Sequence, residues 1–169
     1  MKKSFLTAGL LVSVATAQTA PSPTPAPVQL ATTATVQHPT LSLAAANRLA
    51  MQAVSLCAAQ GYNVTATVVD RMGVTLSVAR AENAGPHTVD ASLRKAYTSA
   101  SARNLTSAMA SGLAANPTLA DIPGFLVLAG GVPVRVNNVV VGAVGVGGAP
   151  SGLVDEKCAA DAIRTVLGN

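Results

Sequence analysis

The sequence predicts an α+β domain in which helices pack on a mostly antiparallel sheet of five strands. Three observations carry that expectation. Half of the 169 residues are apolar and only 11% are charged, which supplies core material for one domain. Short β-branched runs come in pairs joined by tight-turn residues, the mark of hairpins. Longer segments space their apolar residues along one helical face instead.

The chain opens on Met1-Lys2-Lys3, a short basic region, followed by an apolar stretch over 5–14 that is too short for a comfortable membrane span. Ala15-Thr16-Ala17 then supplies the small-x-small pattern of a signal peptidase site. Residues 1–17 are therefore expected to be a secretory signal peptide, cleaved before Gln18, that sends the protein to the periplasm or the exterior. Residues 18–38 are expected to be a linker. Pro21, Pro23, Pro25 and Pro27 alternate with small residues, and proline fixes φ and donates no hydrogen bond, so the segment reads as extended and semi-rigid. The folded domain is placed over 39–169.

Within it, Thr40 and Ser42 are able N-caps, and Leu43, Ala46, Ala50, Val54 and Cys57 keep helical spacing until Gly61. Strands are expected over 63–70 and 74–81, joined by a turn at Arg71-Met72-Gly73. After a loop over 82–87, Thr88 is expected to cap a helix running to about Arg103, and Thr106 a shorter one ending before Asn116-Pro117. Three further strands are expected over 125–129, 132–136 and 139–146. Asn137-Asn138 is a strong hairpin signal, because Asn tolerates the left-handed region such turns require. Ser151 should cap the last helix, Asp155 and Glu156 suit its positive end, and Gly168 should close it.

Composition also excludes. Leaving out Lys2 and Lys3, nine basic residues face seven acidic ones, with no basic run, so nothing points to nucleic acid. The glycines from Gly142 to Gly148 invite a dinucleotide-binding reading, but Pro150 stands where the third glycine belongs and no ribose partner follows. Gly142 and Gly145 are read as close-packing positions. Cys57 and Cys158 fall on apolar helical faces and are expected to be two buried thiols rather than a disulfide. If the first and last strands ran parallel side by side, these cysteines would lie at different heights.

His38 and His87 stand alone, with no metal-ligand cluster around either. His38 borders the linker and is expected to be solvated. His87 follows Gly85-Pro86 and precedes a helix, where a ring can be held at a fixed angle. No Ser sits in a nucleophile elbow, and Asp70, Lys95 and His87 define no set of nucleophile, base and oxyanion site, so the chain reads as a binding module rather than an enzyme.

Five ordered segments carry a family resemblance: Val64-x-x-x-Val68-Val69-Asp70-x-x-Gly73, Arg94-Lys95-Ala96-Tyr97-Thr98, Gly130-Gly131-Val132-Pro133-Val134, Val140 through Gly148, and Asp155-Glu156-x-Cys158-Ala159. Together they resemble the GlcG/HbpS family over 41–167. The resemblance implies a PAS- or profilin-like five-stranded sheet, homo-oligomers and, in the extracellular members, haem binding. The loop from Glu82 to Thr88 is similar to the one preceding the family's central helix. The resemblance thus implies haem as cofactor and His87 as its metal ligand. Met72, Met109 and Tyr97 are candidate second ligands, and Arg94 and Lys95 candidate partners for propionates. Arg94 and Lys95 are equally well read as a solvated helix face. Beyond the leader only Tyr62, Tyr97 and Phe125 are aromatic, so Val and Leu would cover the macrocycle, with a second subunit completing the pocket. The alternative is a non-haem accessory module that binds a small organic acid or a partner protein.

Overall fold

The computed structural model describes residues 26–168. The proposed leader and the start of the proline-rich segment lie outside the described residues. Residues 26–36, the described part of a first unit, are exposed and contain no helix or strand. The second unit starts at Gln37 and holds every helix and strand described below.

Helix α1 (Leu43–Ala58) leads into strands β1 (Thr65–Asp70) and β2 (Thr75–Arg80). The long helix α2 (His87–Ala102), the short α3 (Thr106–Ser111) and a 3-10 turn (Pro117–Asp121) follow. Strands β3 (Gly131–Val136) and β4 (Val139–Gly147) then precede α4 (Gly152–Leu167). The strand order is β2-β1-β4-β3, and every neighbouring pair is antiparallel. Strand alternation divides the residues between two layers. Ala66, Val68, Val144 and Val146 join the main core with α1 and α4, whereas Val69 and Ala143 meet Ala96 and Ala100 of α2. Val144 is fully buried at the centre, paired with Val68 on one side and Val132 on the other.

Several local readings hold. Ser42 and Ser151 cap their helices through the side chain, Asn137 and Asn138 take positive φ of 49° and 61° in the hairpin, and Gly168 ends α4 at φ 73°. Others need correction. The sheet has four strands, not five. The run 125–129 stays irregular: Leu126 N donates to Thr98 Oγ1 at 2.8 Å rather than to a neighbouring strand, and the following Gly130 N donates to Glu156 at 3.4 Å. Helix α2 starts at His87 with Pro86 as its N-cap, so Thr88 is not a cap. Instead its hydroxyl bonds Gly85 O and Thr65 Oγ1, both at 2.6 Å. Thr106 is likewise inside α3 and accepts from Gly131 N at 2.8 Å.

The cysteines also overturn the expectation. Cys57 and Cys158 form a disulfide, with Cα atoms 5.7 Å apart and both residues fully buried. The reason is topological. Because β1 and β4 are antiparallel, the helix before one and the helix after the other also run in opposite directions. The end of α1 therefore lies beside the start of α4, at the same height.

Candidate functional site

Helix α2 lies against β4 at unusually short range, and this contact organises the site. A Cβ at Gly145 would fall onto the Ser92 carbonyl oxygen and lie 2.5 Å from Ala96 N, so only glycine lets the helix approach. Thr67 and Ser92 bridge the same layer through a 2.7 Å hydroxyl hydrogen bond. The start of α2 is thereby fixed beside the end of β4.

A cleft of about 510 Å³ opens there. His87, Thr88 and Ala91 form one wall, Gly147, Gly148 and Ala149 another, and Leu128, Ala129 and Leu153 the remainder. Lys95 and Asp155 lie at its base as an ion pair of 2.9 Å, their side chains 6% and 3% exposed. Lys95 Nζ also donates to Val146 O at 3.0 Å, and Asp155 Oδ1 accepts from Ala149 N at 3.0 Å. Gly130 makes room for this ammonium, since a Cβ there would sit 2.8 Å from Lys95 Nζ. Burial pushes the Asp155 carboxyl above its ordinary range, and the neighbouring Lys95 pulls it back down.

His87 sits exposed at the cleft rim. Its ring fills the space that a side chain at position 85 would need: a Cβ on Gly85 would lie 2.7 Å from Cε1 and 2.9 Å from Nδ1, with Nε2 farther away at 3.8 Å. The imidazole makes no hydrogen bond to another described residue. An exposed ring whose nitrogens are uncommitted to other described residues suits a donor to a metal supplied by a ligand. Among the described residues, no three or more His, Cys, Asp or Glu side chains gather to hold a metal ion alone.

The four residues singled out in the sequence do not converge. His87 and Lys95 share this cleft, whereas Arg94 and Tyr97 line a second hollow of about 570 Å³ with Gly73, Thr75, Asp90 and Gly124. Helical spacing explains the split: 87, 91 and 95 share one stripe of α2, and 90, 94 and 97 another. Lys95 is not a solvated side chain, because Asp155 and Val146 engage it internally. Arg94 is exposed and paired with Asp90 at 2.8 Å. Tyr97 is half-buried between Gly73 and Gly124 and meets Phe125 edge-on at 6.2 Å, so its ring serves packing. Met72 is exposed in the β1–β2 turn and Met109 is half-buried on α3; neither lines the His87 cleft. His38 is exposed.

Sequence reasoning missed Asp155, which it gave only a helix-end role, and the two leucines of the rim. The segment Asp155-Glu156-x-Cys158-Ala159 was the available signal, but nothing in it named Lys95 as partner.

The profile of the family described as haem-degrading protein HbpS-like matches residues 41–164. A double mutant of HbpS from Streptomyces reticuli is 44% identical and superposes with a TM-score of 0.77, over 87% of this chain and 100% of that one. The Klebsiella pneumoniae protein ORFY is 30% identical with a TM-score of 0.71, over 78% and 95% of the two chains. PduOC, solved as a complex with haem, has the same fold at 19% identity and a TM-score of 0.66, over 73% and 93%.

Proposed function

The chain belongs to the HbpS-like family, and on that premise we propose that its domain binds haem, with His87 ligating the iron from the cleft rim. The observation that carries this reading is the exposed His87 ring at the cleft rim, next to Gly85 and free of hydrogen bonds to other described residues. Neutral imidazole is a common iron ligand, and haem held there would supply a redox-active iron. Leu128 and Leu153, 56% and 63% exposed beside the cleft, offer apolar surface to a macrocycle. Lys95 takes no part in propionate binding on this reading; it holds the cleft's base together with Asp155. Large exposed apolar side chains on the rim also favour a second copy of the chain covering the ligand, as a homo-oligomer.

Haem titration tests the proposal. Wild type should give a saturable Soret band, His87→Ala should shift that band and weaken binding, and His38→Ala should do neither. An unchanged spectrum in His87→Ala would remove this residue as ligand, and a wild type that takes up no haem would remove the cofactor.

Export is a second part of the proposal. Lys2-Lys3, the apolar run and Ala15-Thr16-Ala17 support a cleaved leader, and a disulfide in the core suits an oxidising compartment. Intact mass of protein recovered from the envelope or medium should correspond to a chain beginning at Gln18; a mature protein that keeps Met1 would contradict it.

A further inference from the structure

Strand β2 ends at Arg80, and the chain from Ala81 to Pro86 crosses from there to the start of α2, where His87 stands. Two backbone bonds shape this loop: Ala81 N donates to Val64 O and Ala84 N to Ala81 O, both at 3.0 Å. The carbonyls of Glu82 and Ala84 receive no backbone N–H from the described residues. Pro86, which follows shortly after, has no N–H to offer them. The guanidinium of Arg80 takes both oxygens instead. Its Nη2 donates to Ala84 O, and its Nη1 reaches Glu82 O at 3.5 Å.

The next carbonyl along, that of Gly85, is taken from the inner side by the buried Thr88 hydroxyl at 2.6 Å. His87 therefore follows a loop fastened at Ala84 by Arg80 and at Gly85 by Thr88. The two anchors differ in kind. Thr88 is tied to Thr65 inside the fold, whereas Arg80 is exposed and forms no ion pair among the described residues. Water can replace the donors of an exposed guanidinium, so Arg80 adds little to global stability. What it adds is a fixed path for the chain that carries His87.

We propose that Arg80 is a positioning residue for His87: by closing on the Glu82 and Ala84 carbonyls, it sets the backbone from which the imidazole reaches the cleft. The inference rests on the reading of His87 as an iron ligand. A ligand carried on an ordered loop has less freedom to lose on binding, so the clamp raises haem affinity without touching haem. An arginine acting by charge alone, on a propionate, is replaceable by lysine. A planar fork shared between two carbonyls is not.

The test is a haem titration of wild type, Arg80→Lys, Arg80→Ala, His87→Ala and the double variant Arg80→Ala with His87→Ala. Both single Arg80 variants should weaken haem binding about tenfold, the weight of one charge-assisted hydrogen bond. Their Soret maximum should stay at the wild-type position, because His87 still ligates. The electron paramagnetic resonance lines of the ferric complex should broaden, as the ring takes several orientations at the iron. Adding Arg80→Ala to His87→Ala should change affinity no further, since the clamp acts only through His87. Wild-type affinity in Arg80→Lys, or a full additional loss in the double variant, would overturn the assignment. Amide hydrogen exchange of the haem-free protein reads the clamp without the cofactor. Ala84 and Thr88 should exchange about tenfold faster in both single Arg80 variants, with Val144 unchanged. Unchanged exchange at Ala84 and Thr88 would remove the clamp itself. A wild type that takes up no haem, with that faster exchange present in the variants, would remove the ligand reading alone.

Discussion

The ammonium of Lys95 and the carboxylate of Asp155 meet at 2.9 Å with almost no exposure, so each charge depends on the other. Removing one partner strands the other in a poorly solvated place. Lys95→Met should cost about 3–5 kcal/mol, whereas combining it with Asp155→Leu should return most of that loss. The pH dependence of the single variant has a definite direction. Burial already holds the Asp155 carboxyl above 3.8, and Lys95 is the charge opposing that rise. Without Lys95 the native state takes up this proton still more readily than the unfolded chain. Stability tied to a raised carboxyl is fully present below 3.8 and is lost as pH rises through the raised value. The deficit of Lys95→Met, read as the difference in urea midpoint from wild type, should therefore be largest at neutral pH and shrink on acidification. A deficit that does not change with pH would rule out Asp155 as its source. The pair was invisible in the sequence because its members are 60 positions apart and a lysine on a helix ordinarily faces water. The place of His87 at a helix start was legible for the opposite reason: Gly85 and Pro86 are adjacent to it in the chain.

At the scale of elements, the strand Val139–Gly147 was legible nearly to its ends, because a valine-rich run follows directly on the Asn137-Asn138 turn. Gly145 admits the backbone of α2, and a Cβ there would meet Ser92 and Ala96 main-chain atoms, which cannot rotate away. Gly145→Ala should force α2 off the sheet and cost about 3 kcal/mol or more. Gly147 lies two residues along the same strand, but its nearest neighbours would be 3.5 Å from a new Cβ, an ordinary contact. Gly147→Ala should stay within about 1 kcal/mol of wild type. Thermal melts of the two variants measure this contrast; equal losses would mean that general strand damage, not the helix contact, sets the cost. The run 125–129 shows where sequence patterning stops. Phe125, Leu126 and Val127 have the composition of a strand, but Leu126 N donates to Thr98 and the following Gly130 N to Glu156, acceptors that lie on helices far away in the chain.

For the folded unit as a whole, one strand relation decides how the chain is tied. Placing β1 and β4 parallel separates the cysteines; their observed antiparallel pairing brings Cys57 and Cys158 to 5.7 Å between Cα atoms. Two apolar helix faces are compatible with either arrangement, which is why helical spacing alone pointed to free thiols. The bridge closes a separation of 101 residues, so it ties α1 to α4 across nearly the whole unit. Loop-closure entropy assigns such a link about 4.7 kcal/mol, and measured losses on removing native bridges run about 2–5 kcal/mol. The double substitution Cys57→Ala and Cys158→Ala should lower stability by that amount while leaving the fold intact, since Leu49, Ala53, Ala159 and Ala162 still pack between the two helices and the sheet. Thiol titration of denatured, unreduced protein should find no free thiol, and two after reduction. Protein made in a reducing cytoplasm should contain both thiols and melt lower until it is oxidised. If protein recovered from its own cell envelope or medium carries two free thiols, the bridge is not formed in the cell, and the argument from the disulfide to an oxidising compartment falls with it.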